Sequence, residues 1–259
     1  MRGNHALDDR ASINYRTRSA GIGDAHNYSM QQARGYFILA FTLVELLLVL
    51  SIALILAALV LTAVSRSGRT GPRINCVSNL QQIGLAFRTW ALDNNDKFPM
   101  QVSITNGGAL ETVATGTVFG VFQVMSNELS TPKILICPEE NDPERISAIT
   151  FQPHIPPEAV YAVSFTNDNN VSYFVNISAQ DTFPDMPLCG DRNLAVNGVP
   201  APHGVLRVPA NSTVTWFGPR HNKSGNIALA DGSVQGFTSA RLGRLLKETG
   251  MATNRLAIP

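Results

Sequence analysis

Few residues of this 259-residue chain have the types and spacing for chemistry. His221 is followed by nine residues and then by Asp231-Gly232, and Asp191 stands in the run Gly190-Asp191-Arg192-Asn193. An imidazole and two carboxylates are metal ligands and acid–base groups, so one reading has His221, Asp191 and Asp231 converging on a site that holds a metal. The competing reading is structural: Asp231-Gly232 makes a turn and His221 satisfies loop backbone groups. The structural reading is favoured, because no CxxC or HExxH spacing supports a metal. Other chemistries lack their parts. No serine sits in a GxSxG elbow, and the three cysteines have no local histidine partner motif. Asn106-Gly107-Gly108 is not followed by the Lys-Ser/Thr of a phosphate loop. The residues point to a non-enzyme that needs no cofactor.

One further carboxylate stands in an unusual place. Glu45 lies inside residues 36–64, where 25 of 29 residues are apolar. An ionisable group at membrane depth costs roughly a few kcal/mol unless it is paired or near the interface. A helix rising ~1.5 Å per residue crosses a ~30 Å hydrocarbon core in about 20 residues, so this run is long enough for one span. It exceeds the ~7–15 residue core of a cleavable secretory signal. Arg16, Arg18 and Arg34 on one side tie with Arg66, Arg69 and Arg73 on the other, so charge does not orient the span.

The averages reflect this split. The chain is 44% hydrophobic, but without the greasy run the remainder falls to about 39%. Twenty Lys+Arg against 19 Asp+Glu leave a charge of +1. That balance excludes a strongly basic nucleic-acid binder and a highly charged disordered chain.

The elements that must position these groups follow from pattern. Gly68, Gly71 and Pro72 predict a kink or break after the span. Helical spacing resumes over 73–92, with Ile74, Val77, Leu80, Ile83 or Gly84, Phe87 and Trp90 or Ala91 on one apolar stripe. Short apolar runs then follow as strands or short helices: Val118–Met125, Ile134–Ile136, Tyr161–Phe165, Ser172–Ile177, Thr213–Phe217, Asn226–Ala230 and Val234–Phe237. Asn226–Phe237 reads as a β-hairpin turning at Asp231-Gly232. Arg241–Thr249 reads as a short helix stopped by Gly250. Thr150–Pro157 and Leu194–Asn211 read as surface loops, and Glu139-Glu140-Asn141-Asp142 with Glu144 as a solvated turn. The fold class is α+β, a long N-terminal helix leading into a small antiparallel-sheet head.

Ala40 followed by FTLVELLLVLSIALILAAL resembles the N-terminal signature of type IV pilin-like proteins, including type II secretion pseudopilins. A Phe after a small residue, a Glu four residues on and an unbroken apolar helix carry the resemblance. It implies cleavage between Ala40 and Phe41 by prepilin peptidase on the cytoplasmic side, with methylation of the Phe41 amine. It also implies that Glu45 pairs with the Phe41 amine of an adjacent subunit during assembly. Ala40 departs from the Gly more usual there, and a forty-residue leader is long. RINCVSNLQQIGLAFRTWALDNNDKFP extends the likeness to a bacterial subgroup of pseudopilin-like proteins. RHNKSGNIALADGSVQ, Tyr173-Phe174-Val175 and Gly190-Asp191-Arg192-Asn193 resemble that subgroup's C-terminal motifs, with His221, Asp231 and Gly232 as the marker residues.

The organisation this implies is a cleaved leader over 1–40, a transmembrane helix over 41–66 and a periplasmic head over 73–259. The expected location is the inner membrane, with a cytoplasmic leader. Expected partners are prepilin peptidase, other pilin-like subunits, the inner-membrane assembly platform and the lipid bilayer, with no nucleic acid. An exported head permits a disulfide between Cys76 and Cys137, leaving Cys189 free. Asn167-Asp168-Asn169-Asn170 offers oxygens to Ca²⁺, as in some major pseudopilins, but lacks a fixed loop and closing Glu; an exposed Asn/Asp turn is the favoured reading.

Overall fold

The computed structural model describes residues 42–153 and 163–259, and for 61–72 the backbone. The leader, Ala40 and Phe41 lie outside the described residues, as do parts of the Thr150–Pro157 and Tyr161–Phe165 segments.

The first element is helix α1, Leu43–Asp93. Its 18-residue stretch Leu43–Val60 is long and apolar enough to cross a membrane, and none of it is buried. Thr42 starts the helix. The Thr42 amide and hydroxyl both donate to Glu45 Oε2, at 3.2 and 3.0 Å, while the Glu45 amide donates to Thr42 Oγ1 at 3.2 Å. This reciprocal cap, with the spacing Thr-x-x-Glu, satisfies donors that a helix start leaves open.

The break expected at Gly68, Gly71 and Pro72 does not occur, since α1 is helical from end to end. A Gly costs about 1 kcal/mol and a Pro about 3 in a helix interior, and here the Leu- and Ala-rich run before and the buried face from Cys76 onward offset that. From Cys76 onward one face is buried: Cys76, Leu80, Ile83, Phe87 and Trp90, spaced four, three, four and three residues apart. Ile74, expected on that stripe, is 64% exposed, and Cys76 takes its place.

That face covers a six-stranded sheet. Its strands are β1 (Tyr173–Asn176), β2 (Pro187–Asp191), β5 (Gly204–Pro209), β7 (Ser224–Leu229), β8 (Val234–Thr238) and β9 (Thr253–Ile258). They lie in the order β5-β9-β1-β2-β7-β8, every neighbouring pair antiparallel. A second sheet joins β4 (Val199–Pro200), β3 (Leu194–Val196) and β6 (Val214–Trp216). Side chains alternate between two cores, as strand geometry requires. Tyr173, Val175, Cys189, Ala228 and Ala257 pack with α1 and the short helices α2 (Leu110–Ala114), α3 (Phe119–Val124) and α4 (Ser126–Leu129). Phe174, Ile227, Leu229, Leu256 and Ile258 pack on the other side with Trp216 and with Leu242 and Leu246 of helix α5 (Ser239–Glu248).

The α+β class with antiparallel sheets is therefore observed. The predicted hairpin is β7–β8, with Ser224 opposite Thr238 and Ala228 opposite Val234. Val118–Met125 is helical, Ile134–Ile136 belongs largely to a 3₁₀ turn, and Leu194–Asn211 is no loop but carries β3, β4 and β5. The error has a physical source: β3 and β4 are short, and Gly and Pro within the segment read as turn formers although they sit at strand ends.

Candidate functional site

Four segments converge beneath α1. Cys76 of α1 is disulfide-bonded to Cys137, with Cα atoms 5.4 Å apart, and Cys189 is a free, buried thiol. Burial and the nearby Asp191 raise the pKa of that thiol far above its ordinary value, which makes it inert.

Against the disulfide lies His221. Its backbone is left-handed (φ 49°), as are Asn222 (φ 53°) and Lys223 (φ 57°). Non-glycine residues adopt that region infrequently, so a run of three is a held conformation. The tight turn sends the wholly buried imidazole inward. Nε2 stands 3.4 Å from Cys137 Sγ and 3.3 Å from Asp191 Oδ2, and Nδ1 stands 3.0 Å from Glu139 Oε2. The two carboxylates are at ion-pair distance but off the hydrogen-bond line, and among the described residues neither the ring Nδ1 nor Asp191 Oδ1 has a hydrogen-bond partner. The His221 amide donates to Glu139 Oε2 at 2.9 Å, and the Ser224 hydroxyl donates to the His221 carbonyl.

Asp191 ends β2 and is fully buried. Its Oδ2 accepts from the Asn226 amide at 2.7 Å and side chain at 3.1 Å. Gly190 allows this approach, because a Cβ there would lie 2.7 Å from the Asn226 carbonyl oxygen.

The acidic run expected to be a solvated turn is instead the rim of this cluster. Glu140 is 4% exposed, ion-paired with Arg220 and Arg192, and accepts from Ser172 at 2.8 Å. Burial pushes its pKa upward, but Arg220, Ser172 and Arg192 outweigh that and hold it below the ordinary value. Asp142 bonds Arg192 at 2.6 Å and approaches Arg145 at 3.6 Å. Four carboxylates thus face three guanidiniums and one imidazole. Arg145, buried and beside Arg192, is shifted downward for both reasons.

Of the three residues that the metal reading would bring together, His221 and Asp191 meet, while Asp231 lies in a turn, as the favoured structural reading has it. Asp231 is exposed at the far end of β7, where its Oδ1 accepts from the Ser233 amide at 2.8 Å in the turn. Six strand residues separate the two ends of the motif by about 20 Å. Arg192 serves the acidic rim, and Asn193 donates from Nδ2 to the Phe217 carbonyl at 3.1 Å. Gly232 (φ 86°) sits against α1, its O and Cα 3.4 and 3.5 Å from where a Cβ on Gly84 would stand. Asp168 is half-buried, not an exposed turn: its Oδ1 accepts from the Val118 and Phe119 amides at 3.0 and 2.6 Å.

Sequence reasoning missed Glu139, Glu140, Arg220 and Asn226 as members of the cluster. Cys137 and the acidic run share one loop, so the candidate Cys76–Cys137 disulfide already ties that run to α1; what spacing along the chain does not carry is that His221, Arg220 and Asn226 meet it there. The Thr42–Glu45 cap was legible as Thr-x-x-Glu before an apolar run. No family model, curated protein or solved structure matches the chain.

Proposed function

We propose that this chain is a pseudopilin-like structural subunit, cut between Ala40 and Phe41 by prepilin peptidase and anchored by α1 in the inner membrane. It assembles with other pilin-like subunits, through an inner-membrane assembly platform, into a periplasmic filament of a type II secretion or type IV pilus-like system. One observation carries the reading. Directly after Ala40-Phe41 comes a helix capped by Thr42 and Glu45 and apolar through Val60. A carboxylate at the head of such a helix is tolerable in a membrane when a cation meets it, and the amine of a neighbouring Phe41 is a cation. The head would set subunit contacts.

Determining the N-terminal residue of the membrane-extracted protein after co-expression with prepilin peptidase tests this. A methylated Phe41 supports the reading, and retention of residues 1–40 sinks it. The rival reading is a single-pass anchored head that binds a ligand or metal and is neither cleaved nor polymerised; the buried His221–Asp191 pair favours it, and it requires residues 1–40 to be retained.

A further inference from the structure

We infer that Cys76, Cys137, His221 and Asp191 form a redox-gated metal site, a disulfide when oxidised and a tetrahedral binding site for one divalent ion such as Zn²⁺ when reduced. One ligand atom from each of the four lies within 4.8 Å of the others, and all four residues are buried.

The two ligand–ligand distances made by His221 already match a coordination shell. For Zn–N and Zn–O near 2.0–2.1 Å and Zn–S near 2.3 Å, tetrahedral angles put N and O about 3.3 Å apart and S and N about 3.5 Å apart. His221 Nε2 is 3.3 Å from Asp191 Oδ2 and 3.4 Å from Cys137 Sγ. The two sulfurs must part to about 3.8 Å, and the remaining separations, all within 4.8 Å, close onto the ion. Two thiolates, one imidazole and one carboxylate are a donor set that suits Zn²⁺.

The surroundings are those of a metal ligand set as well. A ligating histidine usually donates from its second ring nitrogen to a carboxylate; Glu139 Oε2 stands 3.0 Å from His221 Nδ1, off the hydrogen-bond line, where a turn of the ring would make it that partner. Asp191 is oriented by Asn226, yet among the described residues its Oδ1 has no hydrogen-bond partner although the residue is fully buried. The left-handed run through His221 holds the imidazole against Cys137 Sγ.

The chemistry balances with a dithiol or phosphine as reductant. Two electrons and two protons convert the Cys76–Cys137 disulfide to two thiols while a dithiol closes to its own disulfide, or a phosphine takes oxygen from water. The metal ion then displaces the two thiol protons into solvent. The inference does not depend on cleavage or polymerisation.

The test uses the detergent-extracted full chain carrying Cys189→Ala, so that Cys76 and Cys137 are its only thiols. It is reduced with a phosphine in the presence of Co²⁺. The expected result is one Co²⁺ per chain with thiolate-to-cobalt charge-transfer absorption and tetrahedral visible bands, bleached by Zn²⁺. The oxidised chain should show neither. Asp191→Asn and His221→Ala should each weaken binding at least tenfold, and His221→Cys, which keeps a ligand, should strengthen the charge-transfer band. Absence of that band in the reduced chain overturns the site. So does Co²⁺ binding by the oxidised chain equal to that of the reduced chain, or an unchanged spectrum in His221→Cys. None of these outcomes bears on processing at Ala40, so failure here leaves the N-terminal assay to decide the proposed function separately.

Discussion

Gly84 of α1 and Gly232 of the β7–β8 turn face each other so closely that a Cβ on Gly84 would stand 3.4 Å from the Gly232 carbonyl oxygen. Arg88, one helical turn on, donates to the Ala230 carbonyl at 3.2 Å and meets Asp181 at 3.5 Å. At the other end of β7, His221 abuts the Cys76 disulfide. Cys76 and Gly84 are about 12 Å apart along the helix, so the His-x9-Asp-Gly segment fastens one strand to α1 at two points.

Gly232→Ala should lose about 1–2 kcal/mol, because φ is 86° there and a Cβ would stand 3.0 Å from Arg88 Cδ. Chemical-denaturant midpoints of the detergent-extracted chain measure it. Asp231→Ala, at the exposed turn, should cost less; equal losses would count against the packing explanation.

Arg220→Ala removes the main partner of a carboxylate that is 4% exposed. Breaking a buried pair from one side costs about 3–5 kcal/mol, because the remaining charge stays buried. Arg220→Ala combined with Glu140→Gln should recover part of that loss. A double variant no better than the single would place the effect elsewhere.

Acid should weaken the head through Glu140. Its folded pKa lies below the ordinary value of 4.5, so its stabilisation is present above 4.5 and is lost as pH falls through the folded value. Asp142 acts in the same direction, its pKa lowered first by the Glu144 amide and, against burial, by Arg192 and Arg145. Asp168 opposes them: burial raises its pKa, so protonation relieves the folded state. The stability gap between wild type and Glu140→Gln should therefore be widest near neutrality and close below 4.5. A gap that stays constant with pH would remove Glu140 as the source.

Loss of the disulfide should be costly. Cys76 and Cys137 are 61 residues apart, and removing such a crosslink typically costs about 2–5 kcal/mol. Cys137→Ser should lower the unfolding midpoint under oxidising conditions, with little difference from reduced, metal-free wild type. A midpoint unchanged from oxidised wild type would mean the bond contributes nothing.

Glu45→Ala should leave membrane insertion intact, since Leu43–Val60 carries no other charge. It should weaken cross-linking between subunits. Undiminished cross-linking would argue against pairing with the Phe41 amine.

Local pattern sufficed for much of this chain. The apolar run, the helix resuming toward Trp90, the Asp231-Gly232 hairpin and the C-terminal helix follow from periodicity, turn chemistry and helix stop signals, which act over a few residues. The site does not. The acidic run after Cys137 looks solvated in sequence because only Lys133, Arg145 and His154 are basic within ten residues of it, and its partners Arg192 and Arg220 arrive from 50 and 80 residues away. Asp191 and Asp231 look equivalent beside His221, yet strand β7 carries one end of the motif to the disulfide and the other to Gly84. Which charges are buried, and which side chains share one center, depend on sheet order and on the helix laid across it. Those are long-range pairings, and spacing along the chain carries no trace of them.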